Sequence, residues 1–437
     1  MPDWLTTEML NLEITQREEE GCVVADLRAR AAGLGPSPTT GELLSLWAET
    51  EVRTPRPDFP YWEPSDLPSI RQARPEGPRK IYLSISREQL YDKIYGGWLG
   101  RAAGCMLGKP VEGWKRQEIH DLLSANGEYP LEDYFRWQEK PPIERPFHRF
   151  FAPNWGRGNI DRMPRDDDMD YPVLGLKLLE TKGLDFTTSD VASLWLCSLP
   201  YTMVYTAERV AYRNLVLGLQ PPASAAFRNP YREWIGAQIR GDIFGWATPG
   251  RLEYAAELAY RDACLSHVKN GIYGEMLISA MLAAAFTTDN VEEIIRLGLS
   301  EIPQYCRLAE AVRNTVQWSK EEPDWERTLD RILATYGHYH GVHTINNAAI
   351  VVMALMYSRG ELEPAITRAV MAGEDTDCNG ATVGSIVGVL NGARGLASKW
   401  ISPFNDRLES IVVGYTDNRL SDLAERTLKA GVHGNAP

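Results

Sequence analysis

From about Ser86 onward, apolar side chains return every three or four residues, the period of a helix with one buried face. The segments that carry this pattern are 87–108, 168–181, 187–217, 230–242, 252–265, 271–286, 290–300, 304–319, 324–336, 345–358, 362–373 and 379–394. Apolar–polar alternation between hairpin turns is missing, as is the strand–helix alternation of a Rossmann sheet. The helices are irregularly spaced, which argues against a solenoid. The pattern therefore predicts an all-α fold: one globular multi-helix domain over 86–437, preceded by an appendage over 1–85. Within the appendage, 5–33 reads as a polar helix that ends near Gly33–Gly35, with Pro36 beyond. The proline-rich run 53–80 reads as an extended connector, whose Phe59, Tyr61 and Trp62 suit it to lie against the body. Residues 127–167 read as a long irregular loop rich in Pro, Phe and Trp.

Two of the helices carry a face of small residues: Gly97, Gly100, Gly104 and Gly108 in one, Gly380, Gly384 and Gly388 in the other. Each glycine costs a helix about 1 kcal/mol relative to alanine. A backbone packed very close offsets that cost, so these faces are expected to shape a tight core rather than to touch a ligand.

Composition narrows the function classes. The chain has 437 residues, with 46 Lys and Arg against 59 Asp and Glu, a formal net charge of −13. That balance argues against a nucleic-acid or anionic-membrane partner, which calls for a basic face. It leaves room for a phosphate-bearing ligand held locally by a helix N-terminus or a cation. No stretch reaches the ~18 apolar residues of a membrane span, and MPDWLTTEML lacks the character of a secretory signal. Cysteines at 22, 105, 197, 264, 306 and 378 form no CxxC, so neither a disulfide framework nor a zinc knuckle is indicated. A cytoplasmic protein is expected.

Three stretches carry candidate chemistry. In Arg165-Asp166-Asp167-Asp168-Met169-Asp170-Tyr171, three successive carboxylates repel one another ahead of a helix that has Pro172 in its first turn. They serve either as an acidic N-terminal turn favoured by the helix dipole or as part of a site. In Gly373-Glu374-Asp375-Thr376-Asp377-Cys378-Asn379-Gly380, Asp375 and Asp377 can turn toward one point before a helix, and such hard oxygen donors suit Mg²⁺, Mn²⁺ or Ca²⁺. An EF-hand is excluded by the missing ligand pattern. In Gly104-Cys105-Met106-Leu107-Gly108-Lys109-Pro110-Val111-Glu112, a glycine-rich helix ends at Pro110 just before a carboxylate, and its GxxxGK string has the wrong length for a phosphate-binding loop. The histidines of HYHGVH, at 338, 340 and 343, offer a weaker zinc alternative, since i, i+2 side chains diverge on a helix.

Together the three stretches resemble the ADP-ribosylglycohydrolase family, the group related to dinitrogenase reductase-activating glycohydrolase and the ADP-ribosyl-acceptor hydrolases. The matching segments are GGWLGRAAGCMLGKPVE, DDDMDYPVLGLKLLE and GEDTDCNGATVGSIVGVLNGARG, with AELAYRDACLSHVKNGIYGEMLISAMLAAAF between the last two. They run in the family's order from about Tyr91 to Lys399. The resemblance implies an all-helical fold holding two Mg²⁺ or Mn²⁺ ions, an ADP-ribosyl or ribosyl substrate, and cleavage at the ribosyl C1. Carried over by position, Asp166, Asp167, Asp168, Asp375 and Asp377 hold the metals, and Asp168 or Glu112 is the general acid or base. Substrate contacts are expected from His267, Gly271, Tyr273, Gly274 and Asn346, although a tight turn or a helix cap explains several of these equally well. The aromatics of loop 141–165, among them Phe147, Phe150, Phe151 and Trp155, either cover the substrate or belong to the core. Three departures stand out: Asp166 where the family has Thr, Cys378 where it has Thr, and Cys105 where Asp is common. Two alternatives accompany the main expectation. One is a glycosidase acting on a free nucleoside, nucleotide or NAD-derived metabolite; the other is a non-catalytic ADP-ribose-binding protein.

Overall fold

A computed structural model describes residues 5–431. The appendage contributes α1 (Thr7–Glu19), α2 (Ala25–Ala32), α3 (Thr40–Glu51) and α4 (Leu67–Ala73). The body follows with α5 (Arg87–Gly108), α6 (Arg116–Ala125), α7 (Asp167–Lys182), α8 (Thr188–Ser198), α9 (Thr206–Val216), α10 (Ala223–Ala226), α11 (Asp242–Ala247), α12 (Leu252–Ala263) and α13 (Asn270–Ala285). It continues through α14 (Val291–Leu299), α15 (Arg307–Glu321), α16 (Trp325–Tyr336), α17 (Thr344–Ser358), α18 (Leu362–Met371), α19 (Thr376–Asn391), α20 (Ser398–Ile401) and α21 (Leu420–Ala430). The described strands are β1 (Arg407–Glu409) and β2 (Asp417–Arg419), paired antiparallel with Leu408 opposite Asn418. The fold is all-α. No helix among the described residues is long and apolar enough to cross a membrane.

Several expected elements are redrawn. The single helix expected over 5–33 is two helices, because Gly21 takes a left-handed φ of +85° and turns the chain after Glu20. The segment 187–217 is split into α8 and α9 at Leu199-Pro200, where proline can neither donate nor let its predecessor stay helical. Residues 230–242 are not a helix: they are buried turns with a single 3₁₀ turn at Gln238–Arg240. The extended connector contains α4, capped by Asp66. Pro172 lies in the second turn of α7, so the carbonyl of Asp168, four residues earlier, loses its helical donor. Arg101 replaces that donor, giving its Nε–H to the Asp168 carbonyl at 2.7 Å.

Packing of α5 against α19 sets the geometry of everything that follows. The two run antiparallel, with Gly96, Gly100 and Gly104 meeting Gly388, Gly384 and Gly380 in turn. A Cβ added at Gly104 would fall on the carbonyl of Gly380, so the glycine faces exist to let backbones touch. At the end of the ladder Gly108 meets Thr376, whose hydroxyl donates to the Gly108 carbonyl at 2.8 Å. The C-terminus of α5 and the N-terminus of α19 are thereby clamped together, 268 residues apart in sequence.

Helices α1–α3 bury a small apolar cluster of their own, including Leu10, Ile14, Leu27, Leu43 and Trp47, which reaches Val210 of α9. Their contact with the body also includes Tyr231, which packs on the cluster, Gln16, which donates to Glu233, and ion pairs. Glu13 of α1 and Glu20, which caps that helix, hold the Arg232 guanidinium at 2.6 and 2.9 Å. Arg307 at the start of α15 pairs with Glu63 at 2.8 Å and Glu233 at 2.7 Å.

Candidate metal centre

The clamp presents three acidic segments to one cavity of about 250 Å³. Glu112 comes from the turn after α5, Asp166 and Asp167 from the start of α7, and Asp375 and Asp377 from the start of α19. Asp166 is the N-cap of α7, its side chain accepting from the Asp168 backbone N–H at 3.1 Å. It is also ion-paired with the buried Lys109, which donates a second bond to the Arg165 carbonyl at 3.1 Å. Asp168 is wholly buried beneath the cavity, where its Oδ1 accepts from Arg101 at 2.8 Å. The other face of Arg101 meets Asp242 at 2.9 Å. Asp375 gives its backbone N–H to Asn347 Oδ1 at 3.3 Å, and Asn379 bonds the same oxygen at 2.8 Å, so α17 braces the start of α19.

These acids outnumber the cations that face them, and their protonation shows it. Burial, then the neighbouring Asp166, pushes Asp167 up to about 6. Burial and Asp166 push Asp377 up to about 7. Asp375, buried beside Asp377 and Glu112, lies well above the ordinary carboxylate range. Glu112 is raised well above it by burial and by Asp377. Asp166 alone is held low: burial opposes ionisation, but the Lys109 ammonium outweighs it.

The donor set suits a divalent cation. Asp168 Oδ2 and Asp377 Oδ1 are buried and accept no hydrogen bond, which is costly for an acceptor unless another partner is supplied. Two groups of atoms lie within 4.8 Å of one another: Cys105–Asp166–Asp168 and Asp168–Asp377–Cys378. Neither contains a histidine. The HYHGVH histidines disperse: His338 is exposed, His340 stacks on Trp234 at 4.1 Å, and His343 is buried as the N-cap of α17.

The five expected metal carboxylates and Glu112 are brought together. The expected substrate contacts are not, because they pack behind the cavity wall. His267 is fully buried on Ser266, at 2.8 Å. Gly271 rests against the Arg232 carbonyl, and Gly274 against Thr344. Tyr273 donates its hydroxyl to the Pro64 carbonyl of the connector. Asn346 donates to the His340 carbonyl at 3.1 Å. The aromatic loop divides: Phe150 lines the cavity, whereas Phe147 stacks on Trp114 at 5.8 Å and Phe151 is core.

The opposite wall escapes the sequence pattern. It consists of Tyr205, Thr206 and Glu208 at the start of α9, together with Trp234, Ile235 and Gly236. Thr206 has φ +38°, a strained conformation for a β-branched residue. Glu208 is pushed up to about 7 by burial, with Arg240 pulling the other way. Arg149 and Arg165 bring positive charge to the rim, and Glu112 lies 3.2 Å from His148 Nδ1.

Comparison with known proteins places this arrangement in a family. The sequence model of ADP-ribosylglycohydrolases matches residues 86–435, and the chain belongs to that family. Membership supports a glycohydrolase-type, hydrolytic activity. A solved structure, an ADP-ribosylglycohydrolase-related protein complex, shares the fold: the TM-score is 0.50 at 18% identity, covering 79% of this chain and 100% of that one. No curated protein sequence matches the chain.

Proposed function

We propose that the protein hydrolyses the C1 glycosidic bond of an ADP-ribosyl group, carried by a protein or a small-molecule acceptor, with the help of a divalent cation. One observation carries the reading: acids from three distant segments meet at a single cavity, with two buried carboxylate oxygens left without donors. Asp168 and Asp377 would be the principal ligands, supported by Asp166, Asp167 and Asp375. A bound cation of this kind polarises sugar hydroxyls and lowers the pKa of a bound water.

The protein's own groups supply the rest. Glu112 stands at the cavity with a raised pKa and holds a proton it can pass to a leaving group. Asp168, locked by Arg101 and fully buried, is placed to ligate rather than to exchange protons with substrate. Remaining carboxylates favour an oxocarbenium-like transition state. The cavity, below the ~300–1,000 Å³ of pockets that enclose whole ligands, fits a ribosyl unit. The remainder of the substrate would then extend past Phe150 and Arg149, an aromatic face and a cation suited to a base and a phosphate.

Residues 5–85 act in this reading as a brace: α1 and the residue that caps it grip Arg232, two residues from Trp234 in the wall. All six cysteines are free thiols, in keeping with a reducing, cytoplasmic setting. The test is a product assay on ADP-ribosyl-arginine, ADP-ribosyl-serine, NAD and ribonucleosides, with Mn²⁺ or Mg²⁺ and with chelator. Release of ADP-ribose that stops on chelation is expected. Cleavage confined to NAD or nucleosides would move the assignment to a metabolite glycosidase, and no cleavage of any ribosyl compound would contradict it.

A further inference from the structure

The two donor groups share Asp168 but are not equivalent. In Cys105–Asp166–Asp168, the charge of Asp166 is already met by Lys109, and Asp168 Oδ1 is taken by Arg101. The Lys109 side chain is buried, one residue past the end of α5, and is fixed from its other side by the Arg165 carbonyl. It cannot swing into water without abandoning two buried acceptors. In Asp168–Asp377–Cys378, each carboxylate has one buried oxygen without a hydrogen-bond donor, Oδ2 of Asp168 and Oδ1 of Asp377. One group is thus filled by the chain itself, and the other lacks a cation.

We infer that the centre takes a single divalent cation, bound by Asp168, Asp377 and the sulfur of Cys378, and that the Lys109 ammonium stands where a second cation would otherwise neutralise Asp166. This rests on the metal-dependent reading above and fixes its ion count. A fixed positive charge in a dry site repels a second ion strongly. The mixed donor set also sets a preference. Two carboxylates with one sulfur suit Mn²⁺, Fe²⁺, Co²⁺ or Zn²⁺ better than Mg²⁺, which favours oxygen alone. On binding, the thiol proton is released to solvent and sulfur becomes an anionic ligand.

The test uses the full chain, stripped of metal. Mn²⁺ is titrated with detection by electron paramagnetic resonance, bound ions are counted by elemental analysis, and the Co²⁺-loaded protein is examined for sulfur-to-cobalt charge-transfer absorption. One ion per chain, a Mn²⁺ signal without spin coupling, and a cobalt band abolished by Cys378→Ser but kept in Cys105→Ser are expected. Lys109→Ala is expected to raise the count from one to two. Two ions on the wild-type chain, a band that depends on Cys105, or a Lys109→Ala chain that still binds one ion would overturn the inference while leaving a metal-dependent hydrolase intact. Hydrolysis by a chain that takes up no ion would overturn both.

Discussion

Two of the buried, acid-rich clusters among the described residues differ in how their charge is met. At the contact between α1 and the body, Glu13, Glu20, Glu63 and Glu233 face Arg232, Arg307 and Lys269. Burial works against the Glu233 carboxylate there, yet Arg307 brings it down to about 2. At the cavity, Asp375 and Asp377 are buried and Glu112 and Asp167 half-buried, fewer cations face them, and all four are raised. The first cluster is mostly ion-paired and holds parts together, although Glu19 at its side is pushed up to about 8 by burial and by Glu233. The second has more acids than cations to meet them, and that excess is what supports the proposed cation site. Acid content alone does not distinguish a brace from a site; what sets the second cluster apart is the cavity that its acids line, with orphaned carboxylate oxygens beside it.

That contrast can be broken in graded ways. The largest effect belongs to Asp377→Asn, which removes the negative charge of a proposed ligand carboxylate. Loss of Lewis-acid assistance worth several kcal/mol lowers turnover by ~10³-fold or more, while the chain stays folded; steady-state rates alongside circular dichroism check both halves. Next is Arg307→Ala, which strands Glu63 and Glu233 in the interior and destabilises by ~3–5 kcal/mol. Urea unfolding measures the loss, and Mn²⁺ affinity at temperatures where the variant is folded should be unchanged. A variant that lost metal binding without losing stability would erase the distinction between brace and cage.

Smaller effects sharpen the picture. Gly104→Ala forces α5 from α19 and is expected to destabilise by ~1–3 kcal/mol, with a matching fall in Mn²⁺ affinity because the same ladder aligns Asp377. The smallest effect is one of pH. Without metal, Asp377 titrates near about 7 in the folded chain against an ordinary 3.8. The folded state thus holds that proton more tightly than the unfolded one, so its contribution to stability falls as pH rises from about 4 to about 7. In chelator, the melting temperature of Asp377→Asn should gain on wild type across that window. A gap that stays constant with pH would place Asp377 in a compensated setting.

Legibility from sequence follows the range of the forces involved. Helix α5 falls where the apolar period and its capping serine place it, from Arg87 to Gly108. The acidic stretches are singled out by their local pattern and by their resemblance to the family's motifs, whereas their convergence depends on the α5–α19 packing. The wall at 230–242 was not legible: its conformation is fixed by Arg232 reaching Glu13 and Glu20 and by Arg240 reaching Glu208 and Asp262, partners that no window of sequence contains. Helical periodicity in that stretch is overridden by buried ion pairs. Lys109 was visible only as part of a string that failed to be a phosphate loop, since its partner Asp166 is 57 residues away. The expected substrate contacts at His267, Gly271, Tyr273, Gly274 and Asn346 do not line the cavity; Tyr273 bonds the Pro64 carbonyl, while His267 Nε2 and Asn346 Oδ1 are buried without a partner.

Anomalous diffraction from a crystal soaked with Mn²⁺ and ADP-ribose tests the central claim most directly. The account predicts an anomalous peak between Asp168 and Asp377, with the ribose hydroxyls turned toward it. A cavity that binds ADP-ribose with no anomalous peak at those carboxylates would contradict it.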